Sequence, residues 1–115
     1  MGKGGNLLIE HVKTYILNHL TDENLNVTQI AEAVHISYSY LSRLFKQEIG
    51  ENLSDYISKL RIEMACDLLK NSPPASIKDI CEHVGYSNMT SFGRIFKNIV
   101  GMTPGQFRQL HTDSK

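Results

Sequence analysis

Residues 52–71 read NLSDYISKLRIEMACDLLKN, and their spacing predicts a long helix with apolar groups on more than one side. Leu53, Tyr56, Ile57, Leu60, Met64 and Leu68 recur at the i, i+3, i+4, i+7 intervals of one helix face. Ile62, Ala65, Cys66 and Leu69 add a second arc. Asn52 offers a capping oxygen, with Asp55 as its capping-box partner. Ser72-Pro73-Pro74 ends the helix, because proline lacks an amide hydrogen and disfavours α conformation in the residue before it. A helix covered on two sides needs something packed on each, and the chain supplies one related segment before it and one after.

The earlier segment is LNVTQIAEAVHISYSYLSRLFKQEIG, residues 25–50. Asn26 with Gln29 starts a short helix whose face is Ile30, Ala31 and Val34. His35-Ile36 turns, Ser37 caps, and a second helix carries Leu41, Leu44, Phe45 and Ile49 inward before Gly50 stops it. The later segment, SIKDICEHVGYSNMTSFGRIFKNIVG, residues 76–101, repeats the plan. Ser76 with Asp79 is its capping box, Gly85-Tyr86 its turn and Ser87 its second cap, and Phe92, Ile95, Phe96 and Val100 point inward before Gly101. Ile30, Val34 and Ser37 map onto Ile80, Val84 and Ser87 at an offset of fifty. Leu41-Ser-Arg-Leu-Phe-Lys46 maps onto Phe92-Gly-Arg-Ile-Phe-Lys97 at fifty-one, which places one extra residue near the start of the later long helix. A shared Arg-apolar-Phe-Lys-x-x-x-Gly at matched phase indicates duplication.

Around this frame, Leu8, Val12, Tyr15, Ile16, His19 and Leu20 share a face and predict a first helix ending near Leu20. Thr103, Pro104 and Gln106 mark a last short helix, with a frayed tail beyond His111. Residues 1–6 read as a flexible leader or cloning scar. No run of about 18 apolar residues is present to span a membrane, and no signal peptide opens the chain. Cys66 and Cys81 fall at apolar helical positions and read as buried thiols of a reducing cytoplasm. The histidines are scattered without a nucleophile pair, and the Cys66, Cys81 and His83 spacing matches no zinc pattern, so neither an enzyme, a metal nor a cofactor is indicated.

Twelve Lys and Arg balance twelve Asp and Glu, so net charge gives no hint of nucleic acid and the placement of charge has to decide. Short helix, tight turn and second helix describe a helix-turn-helix, whose second helix enters a DNA major groove. With the apolar positions turned inward, Ser39, Tyr40, Ser42, Arg43 and Lys46 remain outside on one copy, and Asn88, Met89, Thr90, Gly93, Arg94 and Lys97 on the other. Neither face contains an acidic residue, whereas a solvated face would mix Glu and Asp among its cations. Hydroxyl, amide and guanidinium groups are the donors that read base edges and phosphates. Arg43 and Arg94 suit bidentate contact with guanine, and Lys46 and Lys97 suit phosphates. A bridge of about twenty residues at roughly 1.5 Å each is near 30 Å long, close to the roughly 34 Å turn of B-DNA, so one monomer would address successive major grooves.

Residues 7–110 resemble the DNA-binding domain of the AraC family of bacterial transcription regulators, most specifically through IKDICEHVGYSNMTSFGRIFKNIVGMTPGQF, residues 77–107. Tyr56, Arg61, Ala65, Leu68 and Leu69 also match the family's spacing. The resemblance implies an all-α fold of about seven helices: a helix-turn-helix subdomain over 7–51, a linker helix over 52–72, a second subdomain over 73–111 and a tail over 112–115. It implies recognition helices over Tyr38–Gln47 and Asn88–Lys97, with Ser39, Tyr40, Ser42 and Arg43, then Met89, Thr90, Ser91 and Arg94, as base-reading positions. The sequence departs from the family at Gly93, where many relatives have a hydroxyl, and at His35, which stands where the second copy has Gly85. The implied partners are double-stranded DNA and RNA polymerase, for a monomeric fragment whose full protein adds a sensor, receiver or dimerisation domain. A helical module gripping an acidic protein partner is the alternative from another class.

Overall fold

The computed structural model describes residues 3–71 and 75–112. Among them the chain forms seven helices and no strand: α1 Lys3–Asn18, α2 Val27–Ala33, α3 Tyr38–Ile49, α4 Leu53–Asn71, α5 Ile77–His83, α6 Met89–Val100 and α7 Pro104–Thr112. The all-α expectation holds. Helix α1 starts at Lys3, well before the expected face at Leu8, so residues 3–6 of the expected leader are helical. Residues 1 and 2, the Ser72-Pro73-Pro74 stop and the tail from 113 lie outside the described residues.

Packing divides the chain into two units, Met1–Leu20 with Asn24–Ile57, and Thr21–Glu23 with Ser58–Lys115. In the first, α1 buries Ile9, Val12 and Ile16, which join Leu20, Leu25, Ile30, Ala31, Leu41, Phe45, Leu53 and Ile57 in one core. Tyr56 meets Phe45 edge-on at 5.1 Å between ring centroids. His19 is a packing residue: its ring stacks on Tyr15 at 4.0 Å, and its Nδ1 lies 2.9 Å from the Tyr15 carbonyl oxygen.

The second unit buries Ile62, Ala65, Leu69, Ile80, Cys81, Val84, Phe92, Phe96 and Phe107 together. Phe107 meets Phe96 edge-on at 5.7 Å. Arg61 is also buried, and a cation out of water needs partners. Its Nη2 donates to the Asp22 carbonyl oxygen at 2.7 Å, and its guanidinium lies 5.2 Å from the centroid of the Tyr86 ring. Both cysteines are free, and burial pushes both thiols above their ordinary range.

Helix α4 starts as the sequence predicts, with the Asp55 amide donating to Asn52 Oδ1 at 2.8 Å. Its buried positions fall on the two arcs that the spacing suggests, but one after the other along the helix. Leu53 and Ile57 are buried in the first turns, whereas Ile62, Ala65 and Leu69 are buried further on. At about 100° per residue the second set lies roughly a third of a turn around the helix from the first. Met64 and Leu68, on the same heading as Leu53, are half-buried. The face changes because α4 leaves one core and enters the other near Ser58.

The duplication reaches further than the paired segments. Asn52 and Thr103 both cap a helix three residues before their bonded amides, and Tyr56 and Phe107 both set an aromatic ring against α3 or α6. The first turn of α4 therefore corresponds to α7 at an offset of fifty-one. Thr103 and Gln106 form a reciprocal capping box: the Thr103 amide donates to Gln106 Oε1 at 2.9 Å and the Gln106 amide to Thr103 Oγ1 at 3.1 Å.

Candidate nucleic-acid interface

Each unit presents a short helix, a tight turn and a twelve-residue helix. The short helices are fixed at their starts by side-chain caps, the Gln29 amide donating to Asn26 Oδ1 at 2.8 Å and the Asp79 amide to Ser76 Oγ at 3.0 Å. Both end in the same hydrogen-bonded turn. The His35 amide donates to the Glu32 carbonyl and the Ile36 amide to the Ala31 carbonyl, as Gly85 does to Glu82 and Tyr86 to Cys81. This is the Schellman arrangement, which requires a left-handed residue at its centre. Gly85 supplies it with φ 103°, and His35 adopts φ 63° despite its side chain. The shape of the first turn is thus the same as that of the second, and the substitution is absorbed as local strain.

The caps of the two long helices correct one expectation. Ser37 caps α3, its Oγ accepting from the Tyr40 amide at 3.1 Å. Helix α6 is capped by Asn88 rather than Ser87, with Asn88 Oδ1 accepting from the Ser91 amide at 3.0 Å. Four residues separate α2 from α3, and five separate α5 from α6. The extra residue therefore lies in the turn, before the cap, and not at the start of the long helix. An amide side chain reaches the backbone amide three residues on as readily as a hydroxyl does, and adjacent Ser87 and Asn88 left the sequence ambiguous.

Leu41 and Phe45 anchor α3, and Phe92 and Phe96 anchor α6, all fully buried. With those positions inward, Ser39, Arg43 and Lys46 form one exposed row on α3, and Thr90, Arg94 and Lys97 form its counterpart on α6. Tyr40 and Ser42 flank the first row; Ser91 and Gly93 flank the second. Tyr40 is exposed, whereas Ser42 and Ser91 are half-buried. Ser42 and Tyr38 line a polar cleft with Asn52, Leu53, Ser54 and Asp55. Met89 is exposed on the first turn of α6, and Asn88 is engaged as the cap. Two amides were missed: Gln47 and Asn98, exposed beside the arginines at matched positions. The offset of fifty-one pairs them and was the available signal.

No acidic residue lies in α6, and in α3 the one acidic residue, Glu48, sits in the last turn away from the Arg43 row. Each row is therefore locally cationic in a chain of zero formal charge.

A protein-family model described as a helix-turn-helix domain matches residues 30–110. The chain belongs to the AraC-type helix-turn-helix family. This AraC-type domain is 41% identical over 108 residues to the uncharacterized HTH-type transcriptional regulator YfiF of Bacillus subtilis, covering 94% of this chain and 33% of that protein. It is 34% identical over 94 residues to the arabinose operon regulatory protein of Escherichia coli, covering 82% of this chain and 32% of that one. Among solved structures, the C-terminal domain of AraT, a response regulator from Geobacillus stearothermophilus, superposes with a TM-score of 0.86 at 33% identity, covering 90% of this chain and 84% of that one. The AraC-type chain thus spans about a third of the length of these two curated relatives.

Proposed function

We propose that this AraC-type chain reads double-stranded DNA in a sequence-specific manner, with α3 and α6 as major-groove helices, and so regulates bacterial transcription in the cytoplasm without catalysing a reaction. The observation that carries this is the pair of rows Ser39, Arg43, Lys46 and Thr90, Arg94, Lys97, polar and cationic at matched phase on two buried scaffolds. Guanidinium groups at the centre of each row suit guanine, the lysines suit phosphates, and the hydroxyls accept or donate to any base edge. Asn88 contributes through the cap, which leaves its NH₂ group as a donor at the start of α6. Relatives named as operon regulators support a role in transcription, and contact with RNA polymerase follows as part of the same proposal. Selection of binding sites from random duplexes with the purified chain tests it. An enriched motif that loses affinity when scrambled is the expected result. Equal binding to all duplexes, with tight binding to an acidic protein surface instead, overturns the reading in favour of a protein-interaction module.

A further inference from the structure

Gly93 is the fifth residue of α6, and nothing in the protein's own packing calls for a glycine there. Its backbone is ordinary helix; the glycines with positive φ are Gly50, Gly85 and Gly101. A Cβ built on Gly93 meets no atom within 4 Å, so no neighbour would be displaced by a side chain. Glycine is also the least favourable residue after proline in a helix interior. The counterpart position in α3 is Ser42, which carries both a Cβ and a hydroxyl at no visible cost. The fold would thus be more stable with almost any other helix former at position 93.

The place of Gly93 on α6 supplies the missing reason. Thr90 lies three residues before it and Lys97 four after it, so it is their neighbour on the helix surface, next to the Thr90, Arg94, Lys97 row. A bare backbone at such a point permits another molecule to approach the helix axis more closely than a side chain would allow.

We infer that Gly93 is a positioning residue, at which the sugar-phosphate wall of the DNA groove seats directly against the α6 backbone. The inference rests on the DNA reading proposed above. A methyl group here holds α6 off the duplex, which draws Lys97 away from its phosphate and Arg94 away from its base together. The two helices then differ in kind: α3 fills the Ser42 flank with a hydroxyl, whereas α6 leaves it open for depth.

The test is the set Gly93→Ala and Gly93→Leu in the full chain, measured for thermal stability and for affinity to the duplex selected by the wild-type protein. Alanine should raise Tm by about 2–6 °C, and Leu should keep Tm at or above wild type. Affinity should fall about tenfold with Ala, the order lost when one bidentate base contact is disturbed, and further with Leu. A rise in Tm with affinity unchanged overturns the inference, and so does a fall in both, which would make Gly93 a folding residue. A wild-type chain that enriches no sequence removes the DNA reading itself, and this inference with it.

Discussion

On α3 the guanidinium carbon of Arg43 lies 6.0 Å from the centroid of the Tyr40 ring, three residues earlier on the helix. The face of an aromatic ring attracts a cation by about 0.5–1 kcal/mol at an exposed site, so the ring holds Arg43 in part against its many rotamers. The matching residue in α6 is Ser91, which has no ring to offer Arg94. Tyr40→Ala should therefore weaken the selected site by about 0.5–1 kcal/mol and relax preference at the base read by Arg43. Tyr40→Phe keeps the ring and should keep the preference. Titrations against a panel of single-base variants check this, and equal losses for Phe and Ala would assign the role to the hydroxyl instead.

The revised cap of α6 makes a prediction that adjacent residues separate. Asn88→Ala removes the acceptor of the Ser91 amide and should cost about 0.5–2 kcal/mol of stability. Ser87→Ala, one residue away in the turn, should stay within about 0.5 kcal/mol. Chemical denaturation of both variants decides, and the reverse order would restore Ser87 as the cap.

His35 stands at φ 63° in a turn that its twin fills with glycine. A left-handed residue with a side chain costs about 1–2 kcal/mol, while glycine adds about 0.5–1 kcal/mol of unfolded-state entropy. The balance favours His35→Gly by a few tenths to about 1 kcal/mol, a rise in Tm of roughly 2–6 °C. Gly85→Ala should shift Tm downward, since φ 103° is less accessible still to an L side chain. Thermal melts read both signs, and a lower Tm for His35→Gly would mean that the histidine side chain holds the turn.

Arg94 and Lys97 share a row and are expected to fail differently. Arg94→Ala should cost about 1–3 kcal/mol at the best site and relax one base position. Lys97→Ala should weaken all duplexes alike and lower the slope of log affinity against log salt by about one. Salt titrations on matched and scrambled duplexes separate the two, and identical profiles would erase the division of labour.

Much of this was legible in the residues. The capping residues Asn26, Ser37, Asn52, Ser76 and Thr103 each bond the amide expected of them, because a cap is a local interaction that sequence states directly. The anchors Leu41, Phe45, Phe92 and Phe96 were equally plain from their phase. What escaped was set by tertiary context. Both arcs of α4 were legible, but the point along the helix where one gives way to the other depends on which core each turn enters, and periodicity alone does not locate it. The burial of Arg61 depends on Asp22 and Tyr86, which lie 39 and 25 residues away. The exposure of each row was legible from phase, while Gln47 and Asn98, exposed at its edge, were passed over.

The unequal turns, four residues in one unit and five in the other, set a rule for anyone exchanging α3 and α6 as cassettes. Up to Val34 and Val84 the copies align at one numbering offset, and from Ser37 and Asn88 onward at another. A chimera cut by the first offset alone would rotate the incoming helix by about 100°. It would bury Ser91 where Leu41 belongs, or Ser42 where Phe92 belongs, and would carry Arg94 or Arg43 out of the exposed row. A workable graft has to take its junction upstream of the turn and bring the donor's own turn with the helix, so that length and cap travel as one piece.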